Sequence, residues 1–337
     1  MFPDLTQDND SILARANSAL IRYPLFKELH EDIQRCQRLS RLAGEPQCMC
    51  LEGVTGAGKT TLVRDYAAQF SRTEEEYGFR VPVFYLETPS PVTVKGMAAA
   101  MLEKLGDPAP HAGTQPRMNS RLISFLIACR VELVILDDFQ HLIDTQTDRV
   151  IEKVSDWLKV LIKETGIPFL VLGIEGKVER ILISNPQLSR LFATRQILYP
   201  FQWDTSNKAS IATFERFIEY AQQATQIPFT DNVPHLELLY RLHYATDGIV
   251  GNVMNLLRFA AALALERKQT SLDLALLSSA FDKRLAKHMR GKINPFNTPA
   301  ESRFTIQDKS SVSGSHNTSS SHVKKSVPDA SQILKTR

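Results

Sequence analysis

The sequence is poor in several features that would settle its class early. It holds only four cysteines, Cys36, Cys48, Cys50 and Cys129, with no C-x-x-C pair and no His–Cys cluster. That excludes a disulfide scaffold, argues against a zinc site and fits a reducing compartment. No apolar run approaches the length needed to cross a bilayer, and the polar start MFPDLTQDNDSI lacks the charged-then-apolar pattern of a leader. The expectation is a cytoplasmic protein with no membrane partner. Charge is nearly balanced, with 40 Lys and Arg against 37 Asp and Glu for a formal net charge of +3. The molecule as a whole is therefore no obvious polyanion binder, and any basic surface must be local. No internal repeat of useful length is visible. At 337 residues, 43% of them hydrophobic, the chain can bury a sizeable core, and its length suggests roughly two domains.

What is present is an alternation. The apolar runs CMCLE (48–52), RVPVFYLE (80–87), VELVILDD (131–138), IPFLVLG (167–173) and RQILYPF (195–201) are separated by helical stretches. Short runs of that kind predict an α/β domain with a five-stranded parallel sheet covered by helices on both sides. After Phe201 the pattern becomes helical throughout, with segments near 208–224, 235–246, 250–267 and 271–288. Beyond Gly291 the composition shifts to DKSSVSGSHNTSSSHVKKS, which is too polar to fold alone. The expected division is an N-terminal segment (1–22), a nucleotide-binding α/β domain (23–202), a small all-helical lid (203–290) and a disordered, flexible tail (291–337).

The stretch LEGVTGAGKTTLVRDY (51–66) carries the full G-x-x-x-x-G-K-[ST] pattern. Gly53, Gly56 and Gly58 permit a loop whose N–H groups wrap a phosphate, with Thr55 and Ala57 between them. Lys59 supplies a mobile positive charge for the β and γ oxygens of ATP. Thr60 is expected on Mg²⁺, and Thr61 continues the helix whose N-terminus faces the phosphates. The second motif, VELVILDDFQHL, brings Asp137 to the carboxyl end of a strand, where its carboxylate can hold Mg²⁺ through water. Asp138 follows as a candidate to activate the attacking water. Where relatives of this architecture often carry Glu, Asp138 is one methylene shorter, which predicts slow ATP hydrolysis.

An α/β phosphate-loop domain followed by a helical lid is the AAA+ arrangement. The sequence resembles the TnsC/TniB family of transposition ATPases in YPLFKELHEDI (23–33), GVTGAGKTT (53–61), LVILDDFQHL (133–142), FLVLGIEG (169–176) and NPQLSRLF (185–192). The resemblance covers about residues 20–285. It implies an ATPase that forms a homo-oligomeric ring or helical filament on double-stranded DNA, marks a target site and recruits a transposase with a target-selection adaptor. It leaves open whether a CRISPR complex, a sequence-specific protein or neither directs the choice.

The resemblance also suggests further site residues. Arg190, and less well Arg195, are candidates for the arginine that completes a neighbour's nucleotide site. In GIVGNVMNLLRFA (248–260), Asn252 stands at the nucleotide-facing helix start, where an arginine is common. Gly173, with Glu175 two residues on, occupies the end of the fourth strand, where a polar sensor is usual, and that role stays open. Gln140 and His141 have no assigned environment. Lys95, Arg117 and Arg121 are the candidate DNA contacts, on segments that would line the inner face of a ring or spiral. The denser cluster Lys283, Arg284, Lys287, Arg290 and Lys292 suits DNA, a neighbouring subunit or neither. In the tail, VPDASQILKTR offers Ile333 and Leu334 as anchors for a transposase, against the plainer reading of a solubilising spacer.

Two other classes fit the nucleotide motifs. A small-molecule phosphoryl transferase would need an acceptor pocket and a lid inserted among the strands. A nucleotide-switched signalling scaffold would carry folded sensor repeats after the lid. Neither feature is visible in the sequence.

Overall fold

The computed structural model describes residues 20–76, 78–143, 147–289 and 291–299. Five parallel strands form the central sheet: β1 (Met49–Gly53), β4 (Val83–Glu87), β5 (Leu133–Asp137), β6 (Phe169–Gly173) and β7 (Thr194–Leu198), in the order β4-β5-β6-β1-β7. All five were expected from their short apolar runs. The three inner strands are buried along their whole length, as a sheet covered on both faces requires. Their side chains alternate between two cores with the period of two that pleating imposes. Met49, Leu51, Leu133, Ile135, Leu170 and Leu172 enter one core. Cys48, Cys50, Val134, Leu136, Phe169 and Val171 enter the other.

Helices α1 (Pro24–Ser40) and α2 (Lys59–Ala67) cover the first face. Helices α3 (Val94–Leu105), α4 (Gln115–Ala128), α5 (Asp148–Thr165), α6 (Lys177–Ile183) and α7 (Pro186–Leu191) build the second layer. Helix α5 shows how the pattern dictates placement: Ile151, Val154, Trp157, Leu158, Leu161 and Ile162 lie on one buried stripe. A two-stranded antiparallel hairpin, β2 (Thr73–Glu75) with β3 (Gly78–Arg80), precedes β4. It takes the start of the run expected as one strand over 80–87, and β4 begins only after Pro82.

The lid consists of α8 (Lys208–Thr225), α9 (His235–Thr246), α10 (Val250–Glu266) and α11 (Leu274–Arg284), close to the four expected segments. The link between sheet and lid is pinned: the Phe201 N–H donates to Gly248 O at 2.9 Å, and His243 Nε2 lies 2.7 Å from Phe201 O. Among the described residues no single helix is long and apolar enough to cross a membrane.

The structure corrects the expected start of the flexible tail at 291. Residues 294–299 pack on the lid: Phe296 is buried, and the fully buried Arg241 donates to the carbonyls of Pro295, Thr298 and Pro299. Lys292 is tied to Tyr244 O at 2.5 Å and to Asp247. One buried ring and one buried guanidinium hold a stretch whose composition alone gives no such sign. Residues 300–337, including the expected transposase-docking peptide, lie outside the described residues, as does Arg290.

Candidate nucleotide site

The loop between β1 and α2 is shaped by its glycines. Gly58 has φ +102° and caps α2, a conformation that side-chain-bearing residues rarely adopt. A Cβ on Gly53 would come within 2.5 Å of Leu198 O on the neighbouring strand. Lys59 is buried, and its ammonium donates to the carbonyls of Gly53 (2.8 Å) and Val54 (3.0 Å). Burial lowers its pKa, while the carboxylates of Asp137, Asp138 and Glu52 pull it back up.

At the end of β5, Asp137 is wholly buried. Its carboxylate accepts from Asp138 N (3.0 Å) and from Tyr85 OH (3.3 Å), and the Thr60 hydroxyl stands beside it. Burial raises its pKa above the usual carboxylate value, and the Thr60, Asp138 N–H and Tyr85 hydrogen bonds oppose that rise. Asp138 follows at φ +51°, a left-handed conformation that aspartate tolerates better than most residues. Thr60 and Asp137, predicted separately from two motifs, therefore stand side by side, and the Thr60 hydroxyl opposes the rise in the Asp137 pKa.

A cavity of about 500 Å³ opens over this loop, within the range of about 300–1,000 Å³ usual for ligand pockets. Residues 55–62 form its floor, and Asp138, Gln140 and His141 stand at one side. Leu20, Ile21, Leu198 and Met254 supply apolar walls, and Arg258 reaches in from α10. The arrangement offers cationic and N–H groups for phosphates and an apolar surface for a base.

The structure departs from the sequence reading in the lid. Asn252 does not line the cavity, and its side-chain amide donates to Thr246 O at 3.2 Å. The cavity-facing stripe of α10 carries Val250, Met254 and Arg258, spaced four residues apart, and Asn252 lies about half a turn away from it. The guanidinium the sequence reading missed at the helix start thus arrives two turns later, and burial lowers its pKa. At the fourth-strand end, Gly173 leaves room for Gln140: a Cβ there would lie 2.5 Å from Gln140 Oε1. Glu175 is exposed.

The other basic residues divide by their commitments. Arg195 is held by Glu179 (3.1 Å), Ser189 Oγ (2.6 Å) and Phe192 O (3.1 Å). Arg190 has a largely exposed side chain and, among the described residues, pairs with the exposed Glu45 at 3.3 Å, a pairing of little energetic weight. Arg121 braces the loop between α3 and α4, bonding Asp107 (3.0 Å), Ala109 O (2.8 Å) and Ala112 O (2.9 Å). That bracing sets the start of α4 beside the end of α3. Exposed Lys95, at the opposite end of α3, stands roughly 16 Å along the helix from Gly106, so the three candidate DNA contacts do not form one patch. Arg117 is exposed. On the lid, Lys283 and Arg284 lie over the Phe259 ring, at 5.9 and 4.6 Å from its centroid.

Residues 12–203 match the family described as "Bacterial TniB protein". The chain belongs to the TniB family. The match ends where the helical lid begins, and the rest of the architecture is borne out by fold. The Cdc6p of Pyrobaculum aerophilum aligns over 84% of this chain and 74% of its own, at TM-score 0.56 and 14% identity. The Aeropyrum pernix ORC2 protein, solved as ADPNP–ADP complexes, aligns over 80% and 70%, at TM-score 0.54 and 17% identity. The Aeropyrum pernix ORC1 protein, solved in complex with DNA, aligns over 77% and 64%, at TM-score 0.51 and 16% identity. These likenesses establish for this TniB-family chain the AAA+ fold expected from its sequence. No functionally curated protein matches it.

Proposed function

We propose that this TniB-family protein is an ATPase that assembles in its ATP-bound form on double-stranded DNA, marks a transposition target and recruits the transposase there. The observation that carries the reading is the convergence of Lys59, Thr60 and Asp138 on a cavity that the lid also lines, with the buried Asp137 beside Thr60.

Each group has a part in that chemistry. Lys59 exchanges its loop carbonyls for the β and γ oxygens. The Thr60 hydroxyl and the Asp137 carboxylate are hard oxygen donors side by side, which fits Mg²⁺, an ion that draws its remaining coordination from phosphates and water. When bound, the ion supplies charge neutralisation across the β and γ phosphates. Asp138 accepts the proton of the attacking water, and its shortness keeps turnover slow. Leu20, Ile21, Leu198 and Met254 hold the base, and Arg258 closes the site from the lid. Arg190, exposed and weakly paired, is the group available to a neighbouring subunit, whereas Arg195 is already engaged.

The DNA and assembly parts rest on the family and on the company the fold keeps. Structures of similar fold include an ORC1 protein in complex with DNA and the Drosophila ORC bound to DNA. Lys95 and Arg117 are the proposed phosphate contacts, since Arg121 is spent on its own loop. Sizing the protein with ATP and Mg²⁺, with and without duplex DNA, tests the reading: a large assembly that requires both is expected.

A further inference from the structure

The end of β6 offers no polar side chain to the cavity, because Gly173 stands there. The space a side chain would take is filled from the neighbouring strand's loop. Gln140, only 4% exposed, lines the cavity beside Asp138. Its Nε2 donates to Asp138 Oδ1 at 3.1 Å, and its Oε1 accepts from Ile174 N at 3.3 Å.

The orientation of that amide follows from its partners. A carboxylate accepts and a backbone N–H donates, so only one of the two flips satisfies both. The seat is equally specific: a Cβ on residue 173 would lie 2.5 Å from Gln140 Oε1 and 2.4 Å from Val178 Cγ2. Glycine at 173 and glutamine at 140 therefore form one device. It spans from β6 to the acidic residue that follows β5 and fixes the direction in which Asp138 presents its carboxylate.

We propose that Gln140 is a positioning residue for ATP hydrolysis, taking from β6 the task of aiming Asp138 at the attacking water. This rests on the ATPase reading above. In the step concerned, the water oxygen bonds to the γ-phosphorus and the bond from phosphorus to the β–γ bridging oxygen breaks. Asp138 accepts the water proton. A short carboxylate tolerates little misdirection, since the reacting groups must meet within hydrogen-bond reach. The Gln140 amide spends both its ends on Asp138 and on Ile174 N, so its loss should fall chiefly on the chemical step.

The test uses the full chain, with and without duplex DNA, and three variants: Gln140→Ala, Gln140→Met, which keeps the volume and removes both hydrogen bonds, and Gly173→Ala, which displaces the amide without touching Asp138. ATP affinity is read by calorimetry, turnover by single-turnover release of labelled phosphate, and folding by thermal melting. The expected result is a fall in kcat of about tenfold to a hundredfold in both Gln140 variants, with ATP affinity and KM within twofold of the parent. Gly173→Ala should reproduce the kcat loss. Unchanged turnover in Gln140→Met overturns the assignment, and so does a parallel loss of affinity and kcat, which would mark a merely structural contact. A parent protein that binds ATP but releases no phosphate in either condition instead overturns the hydrolysis reading, and the inference falls with it.

Discussion

The backbone N–H of Gly251, in the first turn of lid helix α10, donates to the carbonyl of Gly56 in the phosphate loop at 2.8 Å. The lid thus docks directly on the loop that would hold the phosphates, and it does so backbone to backbone. A Cβ on Gly251 would lie 2.9 Å from Gly56 O and 3.2 Å from Gly56 Cα. Gly251→Ala should therefore push the lid off the loop. Overpacking of this kind costs about 1–3 kcal/mol, so ATP affinity should fall by roughly fivefold to a hundredfold. Calorimetric titration checks this. Gly44→Ala, where an added Cβ meets nothing within 4 Å, should leave affinity unchanged.

The burial of Asp137 predicts a trade between stability and function. Its folded-state pKa is raised, chiefly by burial, so the folded protein holds that proton more tightly than the unfolded chain does. By linkage, stability is then lost as pH rises from the unfolded carboxylate value through the folded one. Asp137→Asn removes the buried charge and keeps the shape. It should melt higher than the parent at neutral pH, by a few degrees on a scale of about 2–4 °C per kcal/mol. The advantage should shrink as pH falls through the folded pKa of Asp137. Magnesium-dependent phosphate release should be abolished. An Asn variant that melts lower at neutral pH would contradict the burial argument.

Much of this was legible in the sequence because local chemistry dictates it. The inner strands are short apolar runs that only a doubly covered sheet can bury, and the glycine spacing of 53–58 has few structural uses besides a phosphate loop. The parts that were not legible depend on distant partners or on helix phase. Gln140 reads locally as one polar residue in FQHL, and its meaning comes from Ile174 and Gly173, some 34 residues on. Arg258 becomes a site residue only once Val250 and Met254 are known to face the cavity. The hairpin at 73–80 is exposed along both strands, so it carries no apolar alternation to betray it. Leu20 and Ile21 precede the first recognisable motif.

Arg121 and Arg117 should separate in a pair of experiments. Because Arg121 pairs with the buried Asp107 carboxylate and also bonds two exposed loop carbonyls, Arg121→Ala should lower thermal stability by about 1–3 kcal/mol, the cost of leaving that carboxylate unsatisfied. It should barely change the salt dependence of DNA binding. Arg117→Ala and Lys95→Ala should leave stability within about 0.5 kcal/mol and each reduce the slope of log K against log salt by about one. Binding should be indifferent to DNA sequence throughout. A slope that responds to Arg121 alone would reverse the assignment.

The central claim is that ATP, held by Lys59 and the Thr60–Asp137 pair, drives assembly on double-stranded DNA. Sedimentation of the full chain with ATP, Mg²⁺ and duplex DNA tests it most directly, against omission of either ATP or DNA and against Lys59→Ala. The account predicts a large DNA-bound species only when ATP and duplex are both present, persisting because hydrolysis is slow, and absent in Lys59→Ala. A protein that stays monomeric under every condition, or a Lys59→Ala variant that assembles like the parent, would contradict it.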